Sequence, residues 1–201
     1  MRVRPVGSGA LLIECRDSDE VEAWRADLWR RREAGELRFV DIVPGATTIL
    51  LDGVISSTAA LLAGLPPPPA PSVAAASFVE ISTTFDGEDL EDVAARWNVS
   101  PSAAVERLAS TSLQVAFCGF APGFAYMRGL PDEWSVPRLA APRPRVPAGS
   151  VALADHYVGI YPAVSPGGWR LVGHTDQGLF DVRREHPALL TPGTRVRLVP
   201  A

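Results

Sequence analysis

The residues best suited to chemistry lie between positions 119 and 169, where arginines and aromatic residues alternate with glycine and proline. Arg138, Arg143 and Arg145 carry guanidinium groups, which bind carboxylates through paired hydrogen bonds. A proline separates Arg143 from Arg145 and favours extended backbone before it, so both side chains should project to one side. We expect Arg143 to act in catalysis, and Arg138 and Arg145 to bind an anionic substrate. A solvated pair, or one that bridges to another protein, is the alternative for Arg143 and Arg145.

Five aromatic residues in the same stretch are suited to form the walls of a substrate pocket. They are Phe120, Phe124, Tyr126, Tyr161 and Trp169. Glycine and proline fix the backbones of the loops around them, and loops on a rigid scaffold commonly carry binding sites. The alternative for the first three is that they close the mouth of a barrel.

A second group of candidates offers backbone amides and a hydroxyl. Residues 165–169 read S-P-G-G-W, a turn whose N–H groups are suited to hold an oxyanion, with Gly167 and Gly168 close to the substrate. A plain hairpin is the alternative. We also place Ser150 among the substrate-binding residues, but not as a hydrolase nucleophile, because no G-x-S-x-G pattern surrounds it.

His174 lies in a Gly-His-Thr motif and is the best acid–base candidate, because imidazole titrates near neutral pH. A hydrogen-bonded structural role within a strand is the alternative. His156 and His186 lie in polar, loop-like sequence. Since the three histidines show no metal-ligand spacing with cysteine or carboxylate, we predict no metal site.

The composition narrows the class of protein. The chain has 201 residues, 47% hydrophobic and 21% charged, with a net charge of −4, which is typical of a globular protein and argues against a nucleic-acid partner. All 19 basic residues are arginine, so a Schiff-base lysine, a P-loop lysine and a biotinyl-lysine are excluded. Two cysteines do not make a disulfide framework. With no signal peptide and no run approaching about 20 apolar residues, we expect a cytoplasmic protein without membrane association.

The N-terminal residues predict a small α/β sandwich domain, residues 1–66. Strand-like runs at residues 3–7 and 10–15 precede a helix that begins at an Asp17–Glu20 capping box and ends near Gly35. Residues 37–43 and 47–51 predict a hairpin, and Ser56 or Ser57 a second helix. The proline-rich residues 67–76 are interpreted as a semi-rigid linker, with a surface loop as the alternative.

Residues 77–201 predict a β-barrel domain. A strand at residues 78–82 is followed by a helix carrying Leu90 and Trp97, and by another that begins at Ser100-Pro101. From Leu113 onward many short strands separated by turns favour a closed or nearly closed barrel. The fold class is therefore α+β.

These loops closely resemble the allophanate hydrolase subunit 1 family, which includes the B subunit of 5-oxoprolinase and the kinase inhibitor KipI. The matching motifs are Gly119-Phe120, Pro122-Gly123-Phe124-Ala125-Tyr126, Pro142-Arg143, Val146-Pro147-Ala148-Gly149-Ser150-Val151, Tyr161-Pro162, Ser165-Pro166-Gly167-Gly168-Trp169, Gly173-His174-Thr175, Leu179-Phe180-Asp181 and Pro192-Gly193. The helix that opens the second half also matches, through Asp86-Gly87, Asp89-Leu90 and Val93-Ala94.

The resemblance implies a cyclophilin-like barrel after the N-terminal domain, and a function within a complex. It implies a subunit of an ATP-dependent 5-oxoprolinase that hydrolyses 5-oxoproline to glutamate. The implied partners are a homologous second subunit, of the 5-oxoprolinase C type, and a third subunit, of the 5-oxoprolinase A type. ATP is expected at the level of the complex rather than within this chain, with no metal and no biotin here. A KipI-like inhibitor of a sensor histidine kinase and subunit 1 of an allophanate hydrolase are the alternatives.

Three positions depart from the family pattern. The family often has histidine at Leu108 and tyrosine at Leu113, and its Pro-Arg-Arg reads Pro137-Arg138-Leu139 here. If the missing histidine acts in chemistry, this protein has an altered activity. If that histidine only packs against the barrel, leucine is a tolerable replacement.

Overall fold

The computed structural model describes residues 2–54, 62, 64–66, 68 and 77–201. The chain divides into two compact units, Met1–Ala75 and Ala76–Ala201. The elements of the first unit are β1 (Arg2–Val6), β2 (Ala10–Glu14), α1 (Ser18–Glu33), β3 (Asp41–Pro44) and β4 (Thr48–Asp52). Its strands form one antiparallel four-stranded sheet in the order β1-β2-β4-β3, with α1 following the second strand along the chain.

Helix α1 begins and ends where the sequence predicts. The Asp17 carboxylate accepts a hydrogen bond of 2.8 Å from Glu20 N–H, and Gly35 adopts the left-handed conformation after the last turn. Trp24 and Leu28 project from one face of the helix into the same buried cluster as Ile13 of β2. The first unit therefore has its own hydrophobic core.

The first strand of the predicted hairpin is shorter than expected. The hairpin strand begins at Asp41 rather than at residue 37, although Leu37 and Phe39 are buried in the core. The second helix falls mainly outside the described residues, apart from the buried Leu62. Within the linker at residues 67–76, only residue 68 is described.

The second unit has a seven-stranded mixed sheet that closes on itself. Its strands are β5 (Phe78–Thr83), β6 (Leu113–Cys118), β7 (Ala125–Arg128), β9 (Ser150–Ala154), β10 (Tyr157–Ile160), β12 (Arg170–His174) and β13 (Arg195–Pro200); β8 (Arg143–Val146) and β11 (Ser165–Gly167) form a separate pair. The order is β12-β9-β10-β7-β6-β13-β5, in which only the β5–β13 pair is parallel. Backbone hydrogen bonds of 2.9 and 2.8 Å between Thr84 and His174 join the two edges. The predicted α+β class with a barrel is confirmed.

Two helices, α2 (Leu90–Arg96) and α3 (Pro101–Ser110), contribute to the barrel core. The Ser100 hydroxyl caps α3 by accepting a hydrogen bond of 3.2 Å from Ala103 N–H. Leu108 of α3 is 0% exposed and Leu113 is 1% exposed, and both belong to the main hydrophobic cluster. Leu108 and Leu113, two of the three positions where the chain departs from the family pattern, are therefore packing positions.

Candidate functional site

A cavity of about 360 Å³ lies in the second unit and brings together most of the predicted substrate-binding residues. We call it the aromatic cavity. The predicted residues that line it are Phe120, Phe124, Tyr126, Arg138, Tyr161, Gly167 and Trp169. Pro142, Ala154, Asp155, Tyr157 and Pro166 complete the lining.

Phe124 is the centre of the aromatic cluster and is only 2% exposed. Its ring lies edge-to-face against four neighbouring rings. The centroid distances are 5.3 Å to Phe120, 5.1 Å to Tyr126, 5.3 Å to Tyr161 and 5.4 Å to Trp169. Such contacts stabilise one arrangement of the rings, because the edge of one ring meets the negative face of another. A Cβ on Gly159 would lie 2.8 Å from Phe124 and from Trp169. The two rings can pack at this position because glycine has no side chain. The cavity walls are therefore rigid.

Phe120 differs from the other rings because it is both exposed and strained. It is 60% exposed and adopts φ +67°, a conformation uncommon for a bulky residue. The surrounding turn fixes this conformation, with hydrogen bonds of 2.8 Å from Ala121 N–H to Gly119 O and 2.9 Å from Phe124 N–H to Ala121 O. Strain of this kind clusters at binding sites. Phe120 thus places an exposed apolar face at the cavity.

Tyr161 and Gly167 pack so closely that no side chain fits at position 167. Tyr161 is 1% exposed, and a Cβ on Gly167 would overlap its phenol oxygen. Burial raises the pKa of Tyr161, while a hydrogen bond from Trp169 N–H and the charge of Arg138 act in the opposite direction. Gly168 does not line the cavity; its carbonyl accepts a hydrogen bond of 2.7 Å from Leu139 N–H. The Trp169 amide is thus engaged by Tyr161.

Arg138 and Asp155 give the aromatic cavity opposite charges. Arg138 is exposed. Burial raises the pKa of Tyr126, and the positive charge of Arg138 opposes that rise in part. No carboxylate in the described part of the chain forms an ion pair with Arg138, so its guanidinium is open to an anionic ligand. Asp155 occupies the turn between β9 and β10 with φ +52°. Burial raises the pKa of Tyr157, and the negative charge of Asp155 adds a smaller rise. A ligand with an anionic group and a hydrogen-bond donor matches this arrangement.

Arg143 lies outside the lining of the aromatic cavity, in a network of carboxylates. Its Nη2 donates to both oxygens of Asp89, at 2.9 and 2.8 Å, and its Nε lies 2.6 Å from a carboxylate oxygen of Glu88. Its Nη1 donates to the Trp169 carbonyl at 3.3 Å. With its nitrogens engaged in this way, Arg143 joins the segment before α2 to the backbone of a cavity residue. Arg145, two residues further along β8, is exposed and does not line the cavity.

Ser150 and His174 line a second cavity, of about 340 Å³. We call it the seam cavity, because His174 lies where the sheet closes. Its lining consists of Asp86, Gly87, Glu88, Pro147, Ala148, Ser150, Leu171, Gly173 and His174. Nδ1 of His174 lies 2.8 Å from an Asp86 carboxylate oxygen. The predicted acid–base residue and the aromatic residues therefore belong to different cavities.

Sequence reasoning missed Asp155 and Tyr157 as cavity residues. They fall in the hairpin turn A-D-H-Y, which is not among the motifs that carry the family resemblance. The signal that was available is the position of this turn between two strands, because loops at the ends of strands commonly carry ligand contacts. The pairing of Asp86 with His174, 88 residues apart, had no local signal.

The structure offers little support for metal or thiol chemistry in the described residues. Among them, no group of three or more histidine, cysteine, aspartate or glutamate side chains is placed to hold a metal ion. Burial raises the pKa of the Cys118 thiol to about 11, so the thiol is a poor nucleophile near neutral pH. In the described part of the chain, no helix is both long and apolar enough to cross a bilayer.

The family model for the carboxyltransferase domain, subdomain C and D, matches residues 1–190. The chain belongs to this family. The resemblance carried by the loop motifs is thereby confirmed. Two curated members are named as the B subunit of 5-oxoprolinase: the protein of Escherichia coli O157:H7 is 46% identical over 126 residues, and that of Bacillus subtilis is 40% identical over 125 residues. These matches cover 61% of this chain, and 58% and 52% of the two relatives.

Solved structures of other proteins show the same fold. The crystal structure of TTHA0988 superposes with a TM-score of 0.80 at 33% identity, covering all of this chain and 40% of that one. The conserved uncharacterized protein PH0987 from Pyrococcus horikoshii gives a TM-score of 0.60 at 28% identity, covering all of this chain and 97% of that one. The Kluyveromyces lactis urea amidolyase gives 0.69 at 19% identity, over 99% of this chain and 15% of that one, a likeness of fold alone.

Proposed function

We propose that this chain is the B-type subunit of an ATP-dependent 5-oxoprolinase, which hydrolyses 5-oxoproline to glutamate. Relatives that are 40–46% identical over 124–126 residues are named as the B subunit of 5-oxoprolinase. The observation on which the proposal rests is the aromatic cavity, with Arg138 and Asp155 in its lining.

The chemistry of 5-oxoproline matches that lining group by group. The molecule is a small, nearly flat lactam ring with a carboxylate, an amide N–H and a carbonyl. Arg138 would bind the carboxylate through two parallel hydrogen bonds. Both are charge-assisted, and such bonds are stronger than hydrogen bonds between neutral groups. Asp155 would accept a hydrogen bond from the lactam N–H. Tyr126, Tyr157 and Trp169 would cover the apolar ring, and the cavity of about 360 Å³ is large enough for it.

Arg143 acts in this proposal as a positioning residue rather than as a contact to substrate. Its bonds to Asp89 and to the Trp169 carbonyl tie a cavity wall to the segment before α2. Arg170 has a similar role next to Arg138: its Nε donates to the Pro137 carbonyl at 2.9 Å, and it is paired with Asp92. His174 lines the seam cavity, so we assign it no contact with a lactam in the aromatic cavity.

Ring opening requires ATP, which would activate the lactam carbonyl by phosphorylating its oxygen. ADP would leave in that step. Water would then add to the carbonyl carbon, the C–N bond would break and the nitrogen would take up a proton, which gives an acyl phosphate. A second water would hydrolyse the acyl phosphate to the carboxylate of glutamate and inorganic phosphate. This chain has no lysine for a phosphate clamp, so we assign ATP to the complex rather than to this chain alone. The proposed partners are a homologous second subunit and a third subunit, and the chain by itself is inactive.

The proposal is tested by ATP-dependent formation of glutamate from 5-oxoproline in the reconstituted complex, with and without this chain. We expect turnover to require the chain. Arg138→Met should lower kcat/KM by about 10- to 100-fold, because one charge-assisted interaction with the substrate is lost. Arg145→Met is the matched control, since Arg145 is exposed and lies outside the cavity lining. Full activity of the Arg138 variant would show that the substrate binds elsewhere.

A further inference from the structure

We propose that Phe120 is the residue that makes the aromatic cavity selective for a flat five-membered ring. The ligand class comes from the function proposed above, on which this inference rests: a carboxylate on a flat ring that carries an N–H. Three observations support it, namely a strained turn in the backbone of Phe120, the exposure of its ring, and the position of that ring in the lining of the cavity.

The backbone at Phe120 forms a γ-turn. The Ala121 N–H donates to the Gly119 carbonyl at 2.8 Å, which is the hydrogen bond that closes such a turn, and φ of Phe120 is +67°. A positive φ marks the form of this turn that is rare and strained, whereas the common form has φ of about −75°. A bulky residue with positive φ is an outlier. The chain therefore holds Phe120 in a conformation that the residue itself disfavours.

The surrounding loop enforces this conformation. Gly119 N–H donates to the Phe124 carbonyl at 3.2 Å and so closes residues 119–124 into one loop between β6 and β7. Within the loop, Pro122 precedes Gly123, which has φ +83°, and this is the pattern of a type II turn. Strained backbone persists where its surroundings fix it in this way, and it is concentrated at sites that bind ligands.

Packing within the chain makes little use of the Phe120 ring. The ring lies edge-to-face against Phe124 and Tyr161, with centroid distances of 5.3 and 6.2 Å. Those two neighbours are 2% and 1% exposed, whereas Phe120 is 60% exposed and lines the cavity. A ligand in the cavity would bury part of this open surface. The strained turn therefore serves what the ring contacts when a ligand is bound.

A flat ring is the ligand that uses this surface best. Aromatic side chains favour rings as neighbours, at centroid distances of about 4.5–7 Å. A ring can place a whole face against Phe120 without losing rotational freedom, whereas an open chain must give up such freedom on binding. Arg138, in the same lining, attracts the carboxylate of either ligand. Phe120 thus determines the choice between ring and open chain, and Arg138 the choice of charge.

The test is the Kd of pyrrole-2-carboxylate for the full chain, followed through the indole NMR signal of Trp169, which lines the same cavity. This probe has a flat five-membered ring, a carboxylate and an N–H, but no lactam carbonyl that could react. Phe120→Leu should weaken its binding by about 3- to 10-fold, because leucine is apolar but not flat. N-acetylglycinate, which has the carboxylate and the N–H but no ring, should bind equally to both proteins. Equal weakening of the two ligands, or failure of the probe to bind the unsubstituted chain, would overturn the proposal.

Two further variants separate contact with the ring from general effects of substitution. Phe120→Tyr keeps an aromatic ring and should restore the binding of pyrrole-2-carboxylate. Phe78→Leu is the matched control, because Phe78 is 57% exposed and lies outside the cavity lining, so its Kd should be that of the unsubstituted chain. If Phe120→Leu left the Kd unchanged but prevented assembly with the second subunit, the ring would contact a protein partner instead, and the proposal would be wrong.

The strained turn can be measured separately, by thermal unfolding. At an ordinary position glycine is less stabilising than alanine, but at φ +67° the order should reverse, because glycine adopts positive φ without strain. We expect Phe120→Gly to unfold about 2–4 °C above Phe120→Ala, although both lack the ring and should bind pyrrole-2-carboxylate equally weakly. The opposite order would show that Phe120 is not held at positive φ, which removes the basis of the proposal.

The same experiments distinguish this proposal from the function on which it rests. Weaker binding of pyrrole-2-carboxylate by Phe120→Leu, without turnover of 5-oxoproline by the unsubstituted complex, would support the ring selectivity and reject the enzyme function. Turnover by the unsubstituted complex, with the same KM for 5-oxoproline in Phe120→Leu, would support the enzyme function and reject the ring selectivity.

Discussion

The carboxylate of Asp89 holds both the guanidinium of Arg143 and the backbone amide of Leu171. The distances from Asp89 oxygens are 2.9 and 2.8 Å to Arg143 Nη2 and 2.7 Å to Leu171 N. Asp89 is 9% exposed, so these bonds lie in a poorly solvated environment. One buried charge thus connects the residue before α2 with strands β8 and β12.

We predict that Asp89→Asn lowers the free energy of unfolding by about 3 kcal/mol, because it leaves the Arg143 charge without its main partner. The free energy of unfolding is measured by chemical denaturation, followed by both tryptophan fluorescence and circular dichroism. Glu80→Gln is the control: Glu80 forms an exposed ion pair with Arg197, and its loss should cost less than about 1 kcal/mol. Similar losses in both variants would show that Asp89 contributes no more than a surface charge.

Gly167→Ala should damage the aromatic cavity, whereas Gly168→Ala should not. A Cβ at position 167 would overlap the phenol oxygen of the buried Tyr161. At position 168 the nearest atoms, in Pro142, lie at 3.6 Å, which is ordinary contact. We expect the first variant to lose about 1–3 kcal/mol of stability through overpacking, and to lose binding of 5-oxoproline in the complex.

The measurements are the thermal unfolding temperature and the KM for 5-oxoproline of the two variants. Gly168→Ala reports what an added methyl group does without a clash, so the difference between the variants is the effect of the clash with Tyr161. If both variants behaved like the unsubstituted protein, Tyr161 would have room to move, and the cavity walls would not be rigid.

Leu108 is a core residue by its position, and Leu108→Ala should lower the free energy of unfolding by about 2–5 kcal/mol. The side chain is 0% exposed and packs in the main cluster of the barrel. Val182→Ala is the control, because Val182 is 76% exposed and its truncation should change stability by less than about 0.5 kcal/mol. ATP-dependent formation of glutamate by the reconstituted complex is the second measurement on this variant.

The activity of Leu108→His decides the question raised by the family pattern. If position 108 serves packing alone, histidine there should destabilise the barrel, because its ring nitrogens would lack partners. Its turnover, corrected for the folded fraction, should equal that of the unsubstituted complex. A gain in turnover would show that this position takes part in chemistry.

Sequence alone could predict the fold class, the starts of the two capped helices and most of the residues that line the aromatic cavity. The reason is local: capping residues such as Asp17 and Ser100, and the turn glycines around Phe124, act within a few residues. Gly167 was also predictable, because it lies in a five-residue motif. These signals fix the backbone directly, so they are visible in the sequence.

The remaining features depend on partners far apart in the chain. Asp89 lies 54 residues from Arg143, and Asp86 lies 88 residues from His174. No spacing rule connects such residues, since they meet only where the sheet closes. For this reason the sequence could group Arg143 with Arg138, while the structure places Arg143 among carboxylates and Arg138 at the aromatic cavity.

Alkylation of Cys118 should be slow in the folded protein and should rise with pH. Burial raises the pKa of this thiol from 9.0 to about 11, so its thiolate fraction near pH 8 is about a hundredfold below that of an ordinary thiol. Iodoacetamide labelling followed by mass spectrometry of the Cys118 peptide, with and without urea, measures the difference. Equal rates in the two conditions would show that the thiol is solvated.

The same pKa predicts how stability depends on pH. A pKa that is higher in the folded state means that folding favours the protonated thiol, so its contribution is fully present below pH 9.0. Above that value the unfolded chain loses the proton first, and stability should fall until the folded thiol also ionises at about pH 11. Cys15, whose pKa is also raised to about 11, acts in the same direction. Replacing both with serine should therefore flatten the stability profile between these two pH values, because neither serine ionises there.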